Sequence, residues 1–446
     1  MAVSFDISIE KMYEDSRPRL LIDMRREDDY NTGTADGARN VPAENFPADP
    51  ASFEKLLTEI SEVSIDKMMN EDGDAAVPVY LLCYTGRKSH DTALFLREYH
   101  IEAYSIEGGY ESYIRYQIRK MTDPSNADTD GKTSGREPSD DGSVDGSTSG
   151  KAERDAGTAL YKEAGKKAER SIQKTFRREL WKRFIKAIRE YNLIEDGDRI
   201  CVCISGGKDS MLMAKLFQEL YRHGIRNFSL KFLIMDPGYN DINRELVMAN
   251  ARLLGIPVET FQTSIYDIVS NEEQSGGSSP CYLCARMRRG WLYHKAEEMG
   301  CNKIALGHHL DDVIETTLMG MLYAGQIQTM MPKLHSKNFP GMELIRPMYF
   351  IREKDIIRWR NYNNLHFINC ACRLTESCAS CGGEGKGSKR AAVKRLIKKL
   401  EKDDPQIVNN ILKSMSNVSL SMVLSYKDRD GRKHDFLDEY DAKISE

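Results

Sequence analysis

The string Ser205-Gly-Gly-Lys-Asp-Ser210 constrains this 446-residue chain more than any other feature. It follows the apolar run Ile200-Cys-Val-Cys-Ile204 and precedes Met211 to Leu220, where the apolar spacing is helical. A buried strand, a glycine turn and a helix start make a cradle in which backbone N–H groups and the helix dipole face an anion. Gly206 and Gly207 can take positive φ and let a phosphate approach the backbone. Lys208 supplies a point charge, Asp209 can serve a metal or water, and Ser205 and Ser210 offer hydroxyls. A Walker loop is excluded, because it needs four residues between its first glycine and the Gly-Lys pair. An ordinary glycine-rich turn is the competing reading, and it leaves the full six-residue string unexplained.

At this length two or three domains are expected, and 40% hydrophobic residues suffice for real cores. No run of about 18 apolar residues predicts a membrane span. Met1-Ala-Val-Ser-Phe-Asp6 lacks the basic and apolar regions of an export signal. Ten cysteines are too sparse for a disulfide scaffold. Their Cys-x-x-Cys clustering points to metal or redox chemistry in a reducing compartment, so a cytoplasmic location is expected. The formal net charge of −4 decides little, because the charge is unevenly placed.

Residues 1–120 alternate strands and helices. Leu20–Asp23, Val77–Leu82 and Ala103–Ile106 are predicted strands, and Thr92–Tyr99 a predicted helix. Residues 121–157 hold almost no apolar groups and read as a disordered linker. A flexible chain of about 35 residues spans roughly 30–35 Å, enough to let its neighbours meet without fixing how. Residues 158–425 form the second predicted domain, and 426–446 a C-terminal tail. Ser171–Ile194 has helical spacing with Phe176, Leu180, Phe184, Ile188 and Tyr191 on one stripe. Ile200–Ile204, Ser229–Asp236, Val258–Phe261 and Lys303–Leu306 are strands separated by helical patterns, which predicts a doubly wound parallel sheet. Ligands of such sheets sit beyond the strand C-termini, where Ser205, Asp236 and Gly307 fall.

Asp236 can reach a ribose, an adenine or a metal, or can simply close the turn before Pro237-Gly238. Gly307-His-His-Leu-Asp-Asp312 ends a strand and opens a helix. Its His308, His309, Asp311 and Asp312 can position a nucleotide, bind magnesium or move a proton. Cys281 and Cys284 form a Cys-x-x-Cys followed by Arg286, Arg288 and Arg289. The pair can ligate zinc or an iron–sulfur cluster, or act as a dithiol. Cys370, Cys372, Cys378 and Cys381 follow, so a structural four-cysteine zinc site stays open. Cys201, Cys203 and Cys301 read as small core residues.

Cys83-Tyr-Thr-Gly-Arg-Lys-Ser89 lies between a strand and a helix, in a turn rich in N–H donors that would stabilise a thiolate or persulfide. A phosphatase needs Arg six residues after its cysteine, and Ser89 stands there. Two tracts are basic: residues 161–190 carry eleven Lys/Arg against four Glu, and 383–402 carry eight against two. Either alone reads as a solvated face. Flanking a nucleotide-binding core, they suggest nucleic acid, and Lys394 and Arg395 of the second tract, with Arg286, Arg288 and Arg289 after the Cys-x-x-Cys, are the candidate phosphate contacts.

The loop at Ser205–Ser210 resembles that of the PP-loop ATP pyrophosphatases. More narrowly, Glu195 to Ser210, Cys281 to Gly290, Lys303 to Asp312 and Ile345-Arg-Pro with Arg352-Glu-Lys-Asp-Ile356 resemble the tRNA 2-thiocytidine synthetase family. The likeness runs from about Glu169 to Asp404. Asp23-Met-Arg25, Gly37-Ala38, the Cys83 loop and Glu107-Gly-Gly-Tyr110 are similar to a rhodanese domain. Lys88 stands where that family usually has Arg. The resemblance implies an α/β chain: a rhodanese-like domain, the linker, then a doubly wound PP-loop domain.

It further implies an ATP-dependent tRNA sulfurtransferase using ATP, Mg2+ and a 4Fe–4S cluster held by Cys281, Cys284 and Cys370. ATP would bind Ser205, Gly206, Gly207, Lys208, Asp209, Ser210, Asp236, Gly307 and His308. Lys208, Asp209, Asp311 and Asp312 would act in catalysis, with Cys83 carrying persulfide sulfur. Expected partners are tRNA and a cysteine desulfurase or other sulfur donor, with no membrane, and a homodimer is compatible. The chain departs from the family around the third cysteine, where Cys370-Ala-Cys372 and Cys378-Ala-Ser-Cys381 stand, so Cys372 remains an alternative ligand. A PP-loop sulfur transferase acting on uridine or a small molecule, and a non-enzymatic sulfur-carrier or RNA-binding scaffold, are the competing functions.

Overall fold

Leu20–Asp23 and Val79–Leu82 are buried at every position, as central parallel strands covered on both faces must be. In the computed structural model, residues 5–42, 54–60, 77–122, 163–224, 226–266, 268–269, 280–368, 389–428 and 430–440 are described. The first module holds β1 (Asp6–Ile7), β2 (Leu20–Asp23), β3 (Arg39–Asn40), β4 (Val79–Leu82) and β5 (Ala103–Ile106). They form one parallel sheet in the order β1-β5-β4-β2-β3. Its helices include α1 (Ile9–Glu14), α2 (Glu27–Thr32), α3 (Arg87–Glu98) and α4 (Gly109–Thr122). The expected strands at 20–23 and 103–106 match exactly. The third loses Val77 and Pro78, since proline cannot donate to a ladder.

The second module carries α5 (Lys182–Glu190), β6 (Arg199–Ile204), α6 (Lys208–Arg222), β7 (Ser229–Asp236), α7 (Asp241–Leu253) and β8 (Val258–Gln262). Then come α8 (Pro280–Glu298), β9 (Lys303–Ala305), α9 (Leu310–Ala324), β10 (Lys333–His335), β11 (Glu343–Ile345), α10 (Glu353–Tyr362), α11 (Lys389–Asp403) and α12 (Ile407–Ser414). The sheet order is β10-β11-β9-β6-β7-β8, parallel except for the antiparallel edge pair β10–β11. From β6 the chain winds outward through β7 and β8, then returns to β9 on the other side. The crevice between β6 and β9 is therefore the switch point where ligands of such sheets bind.

The helix expected over 171–194 is broken. Helical turns at 163–173 give way to a π-helical turn, Arg177–Trp181, and then α5. The apolar stripe still buries Phe176, Leu180, Phe184 and Ile188. Of the expected linker, residues 121–122 close α4 and 123–157 lie outside the described residues. The expected tail boundary falls inside a strand: β12 (Ser425–Lys427) pairs antiparallel with β13 (Lys433–Asp435). One hydrophobic cluster spans both modules, joining Tyr113, Ile114 and Ile118 of α4 to Leu246 and Val247 of α7 and to Phe367 and Ile368.

Candidate functional site

Gly206 and Gly307 shape the crevice. Gly206 has φ +84°, and a Cβ there would lie 2.4 Å from Val247 Cγ2 and 2.8 Å from Ile368 Cδ1. A Cβ on Gly307 would come within 3.1 Å of the Ser210 amide nitrogen. The loop after β9 thus lies backbone to backbone against the first turn of α6. The loop after β6 is braced internally. The Ser205 N–H donates to Ser210 Oγ at 3.1 Å, Ser210 Oγ donates to the Gly207 carbonyl at 3.0 Å, and the Tyr239 hydroxyl donates to the Ser205 carbonyl at 3.0 Å.

Lys208 Nζ lies 3.1 Å from Glu353 Oε1 and 3.2 Å from Asp209 Oδ2. Burial works against its charge, but Asp209 and Glu353 raise its pKa overall. Glu353 also takes Lys394 Nζ at 2.8 Å. Burial opposes its ionisation, yet Lys208 and Lys394 hold it far below the usual carboxylate range. Asp311 accepts the Glu353 N–H at 2.7 Å and Arg352 through Nη2 at 3.0 Å, which fixes the start of α10 over the loop.

His309 caps α9. Its Nδ1 accepts the Asp312 N–H at 3.4 Å, while Asp312 Oδ2 accepts the His309 N–H at 3.0 Å. Burial lowers the pKa of His309, but Asp312, Asp209 and Asp311 raise it overall. Arg390 joins Asp312 and Glu315, each at 2.7 Å.

Three buried polar atoms in this region have no hydrogen-bond partner among the described residues: Asp209 Oδ1, His308 Nδ1 and Arg346 Nε. Burial pushes His308 down to about 4, so its imidazole is neutral. Arg346 is pushed down to about 10 by burial, with Arg289 adding to the effect. Orphaned buried donors and acceptors of this kind are what a polar ligand would complete.

The expected nucleotide residues Ser205–Ser210, Gly307 and His308 therefore come together with Asp311 and Asp312. Asp236 sits at the end of β7 but is already occupied. It accepts the N–H groups of Gly238 at 2.8 Å and Tyr239 at 2.6 Å, and Arg244 Nε at 2.7 Å. Lys394 turns inward onto Glu353, whereas Arg395 and Arg286 are exposed. Glu353, Arg346 and Arg390 were missed as site residues. The motifs around Ile345-Arg-Pro and Arg352 were the available signal for the first two.

Cys281 and Cys284 fall in the first turns of α8. Cys284 is partly buried, and Cys370, Cys372, Cys378 and Cys381 lie outside the described residues. Among the described residues no group of three or more His, Cys, Asp or Glu side chains is arranged to hold a metal ion.

In the first module Cys83 is 4% exposed. Its Sγ accepts the N–H of Gly86 at 3.2 Å, the N–H of Ser89 at 3.4 Å and the Ser89 hydroxyl at 3.3 Å. The anion nest expected of the Cys83 turn is present. Ser89, where a phosphatase would have arginine, contributes directly to it. Arg25 is buried with Asp23 at 2.6 Å, and its guanidinium lies 3.4 Å above the Tyr110 ring centroid.

The rhodanese-like domain family matches residues 8–116, and the PP-loop domain family matches residues 172–373. The tRNA-cytidine(32) 2-sulfurtransferase of Geobacter metallireducens is 35% identical over 233 residues, which cover 52% of this chain and 87% of that protein. The Coxiella burnetii protein of the same name is 38% identical over 245 residues, 54% of this chain and 90% of its own. Among solved structures, the U34-tRNA thiolase of Methanococcus maripaludis with its 4Fe-4S cluster is 22% identical. It covers 53% of this chain and 79% of its own, at a TM-score of 0.42. The chain belongs to the tRNA-cytidine(32) 2-sulfurtransferase family and carries a rhodanese-like domain ahead of its PP-loop domain.

Proposed function

We propose that the protein is an ATP-dependent tRNA sulfurtransferase that replaces the C2 oxygen of a cytidine with sulfur, and that Cys83 supplies the sulfur as a persulfide. The observation that carries this reading is the closed contact between the Ser205–Ser210 loop and Gly307, with three orphaned polar atoms around it.

In this reading Ser205, the glycine turn and the α6 N-terminus hold the ATP phosphates. Lys208 stabilises charge as it moves onto pyrophosphate, and Asp209 would hold magnesium, which would offset the charge of the phosphates. The cytidine O2 attacks the α-phosphate, the bond to pyrophosphate breaks, and O2 becomes bonded to AMP. Arg346 and neutral His308 contact the adenylate. A sulfur nucleophile then adds at C2, and AMP leaves with the former base oxygen. Asp236 braces this site through Tyr239 rather than contacting the nucleotide.

Cys281 and Cys284, with Cys370 as third ligand, would hold a 4Fe–4S cluster. The cluster, when bound, supplies a binding place for the incoming sulfur. At Cys83 the thiolate attacks the sulfane sulfur of a donor such as thiosulfate, sulfite leaves, and the persulfide forms. Passing that sulfur to another thiolate exchanges one S–S bond for another without net redox change. Its arrival as a thiocarbonyl consumes two electrons from a dithiol.

Exposed Arg286, Arg289 and Arg395 are suited to RNA phosphates, whereas Lys394 serves the nucleotide site through Glu353. The work would take place in the cytoplasm. No helix among the described residues is long and apolar enough to cross a membrane. Anaerobically reconstituted protein given ATP, magnesium, sulfide and unmodified tRNA should yield 2-thiocytidine on nucleoside digestion, with AMP and pyrophosphate. A 2-thiouridine product, or an unmodified pool, would contradict the assignment.

A further inference from the structure

The rhodanese-like module is built onto the PP-loop module through helix α4. Four contacts in series connect Cys83 to the ATP loop. First, the start of α4 is bonded to the cysteine turn. The Tyr110 N–H donates to the Cys83 carbonyl at 2.8 Å, and a Cβ on Gly109 would lie 2.5 Å from that same oxygen. Second, Tyr113, one turn on, is fully buried and meets the His366 ring edge-on, with centroids 5.8 Å apart. Third, the His366 carbonyl accepts Asn250 Nδ2 of α7 at 2.7 Å. Fourth, Val247 of α7 and Ile368 fill the space beside Gly206 that a Cβ would need. Helix α7 is thus a shared wall, with α4 packed on it and its Val247 against the phosphate loop.

From this we infer that α4 docks the Cys83 module on the PP-loop module in one fixed arrangement, and that Tyr113 and His366 are positioning residues for sulfur delivery within one chain. This rests on the sulfur-supply reading above and goes beyond it. A tether alone leaves a donor at an effective concentration no better than millimolar, whereas a docked donor is also oriented. Tyr113 and His366 touch neither reacting sulfur nor nucleotide. The transfer they orient is the balanced exchange already described, in which the acceptor thiolate takes the outer sulfur and Cys83 leaves as a thiolate.

The test compares Tyr113→Ala, His366→Ala, Cys83→Ser and the unaltered full chain, each reconstituted anaerobically. Three reactions are read: sulfur transfer from thiosulfate to cyanide, thiolation of tRNA from sulfide, and incorporation of 35S from sulfane-labelled thiosulfate, with dithiothreitol as reductant and excess unlabelled sulfide to dilute label released to solution. Tyr113→Ala and His366→Ala should keep the first two and lose about tenfold or more in the third, since small misplacements of reacting groups cost that much. Wild-type rates in the third reaction for both variants overturn the docking inference.

If Cys83→Ser runs the third reaction as fast as the unaltered chain, the sulfur-supply reading fails instead. Because the two variants open the contact from opposite modules, a folding defect shows in that module's own control and the other variant decides. Mixing Cys83→Ser with Lys208→Ala should not restore the third reaction, and efficient restoration would equally overturn delivery within one chain.

Discussion

Lys208 of the phosphate loop and Glu353 of α10 are bonded at 3.1 Å across 145 positions of sequence. The lysine is held ready by a carboxylate that Lys394 also neutralises. In the proposed reaction, phosphate draws Lys208 partly away from Glu353. Lys208→Ala should therefore lower pyrophosphate release by about 100-fold or more, the scale of losing a preorganised transition-state charge. Glu353→Gln keeps the lysine but loosens its aim, and about a tenfold loss in kcat/KM is expected. Steady-state pyrophosphate release with tRNA present checks both. Equal losses for the two would mean that Glu353 does more than aim the lysine.

His308 gives the site a pH signature in stability. Burial holds its folded pKa at about 4, below the ordinary histidine value of 6.5 that an unfolded chain shows. The unfolded state therefore binds the extra proton first as pH falls. The stabilisation is fully present above about 6.5 and is lost between there and about 4, by up to about 3 kcal/mol. His308→Gln should flatten that limb in urea titrations between pH 7 and 4.5. An unchanged slope would show that the imidazole is not held neutral.

Gly307 has no positive φ, so Gly307→Ala isolates its contact with α6 from backbone strain. A methyl group 3.1 Å from the Ser210 amide pushes the β9 loop away from the first turn of α6. ATP affinity measured by calorimetry should fall about tenfold, equivalent to about 1.4 kcal/mol, with a smaller effect on Tm than Gly206→Ala. Gly206→Ala adds left-handed strain and a direct clash with Val247.

Ser89 donates its hydroxyl to Cys83 Sγ at 3.3 Å. Ser89→Ala removes one of three donors to the sulfur anion. A hydrogen bond to a charged group contributes about 1.5–3 kcal/mol, so thiosulfate–cyanide transfer should slow by about 10- to 100-fold. Thiolation driven by free sulfide should be untouched, because Cys83 is bypassed.

The sequence showed what local pattern can carry. The buried run at Leu20–Asp23, the apolar run Phe232–Met235 inside β7, and the glycine turn after Ile204 reported their own structure. β1 and β3 are two residues each, and β10–β11 an edge pair of three, too short for any periodicity. The π-helical turn at Arg177–Trp181 keeps the apolar stripe of a helix while altering its hydrogen bonds, so spacing could not reveal it. Asp236 reads in sequence as a ligand or a turn, and only Arg244 with the Gly238 and Tyr239 amides decides where its oxygens go. Lys394 lay in a basic tract that suggested RNA, and Glu353, 41 positions earlier, drew it inward. The Tyr113–His366 contact is a relation between modules that no local signal encodes.

The fate of one oxygen atom tests the central claim most directly. Adenylation of the base means that the cytidine O2 leaves bonded to AMP. With tRNA carrying 18O at C2 of its cytidines, mass spectrometry of AMP formed during thiolation should find one 18O per 2-thiocytidine made. Unlabelled AMP accompanying thiolated cytidine would contradict activation at C2 by the Ser205–Ser210 loop.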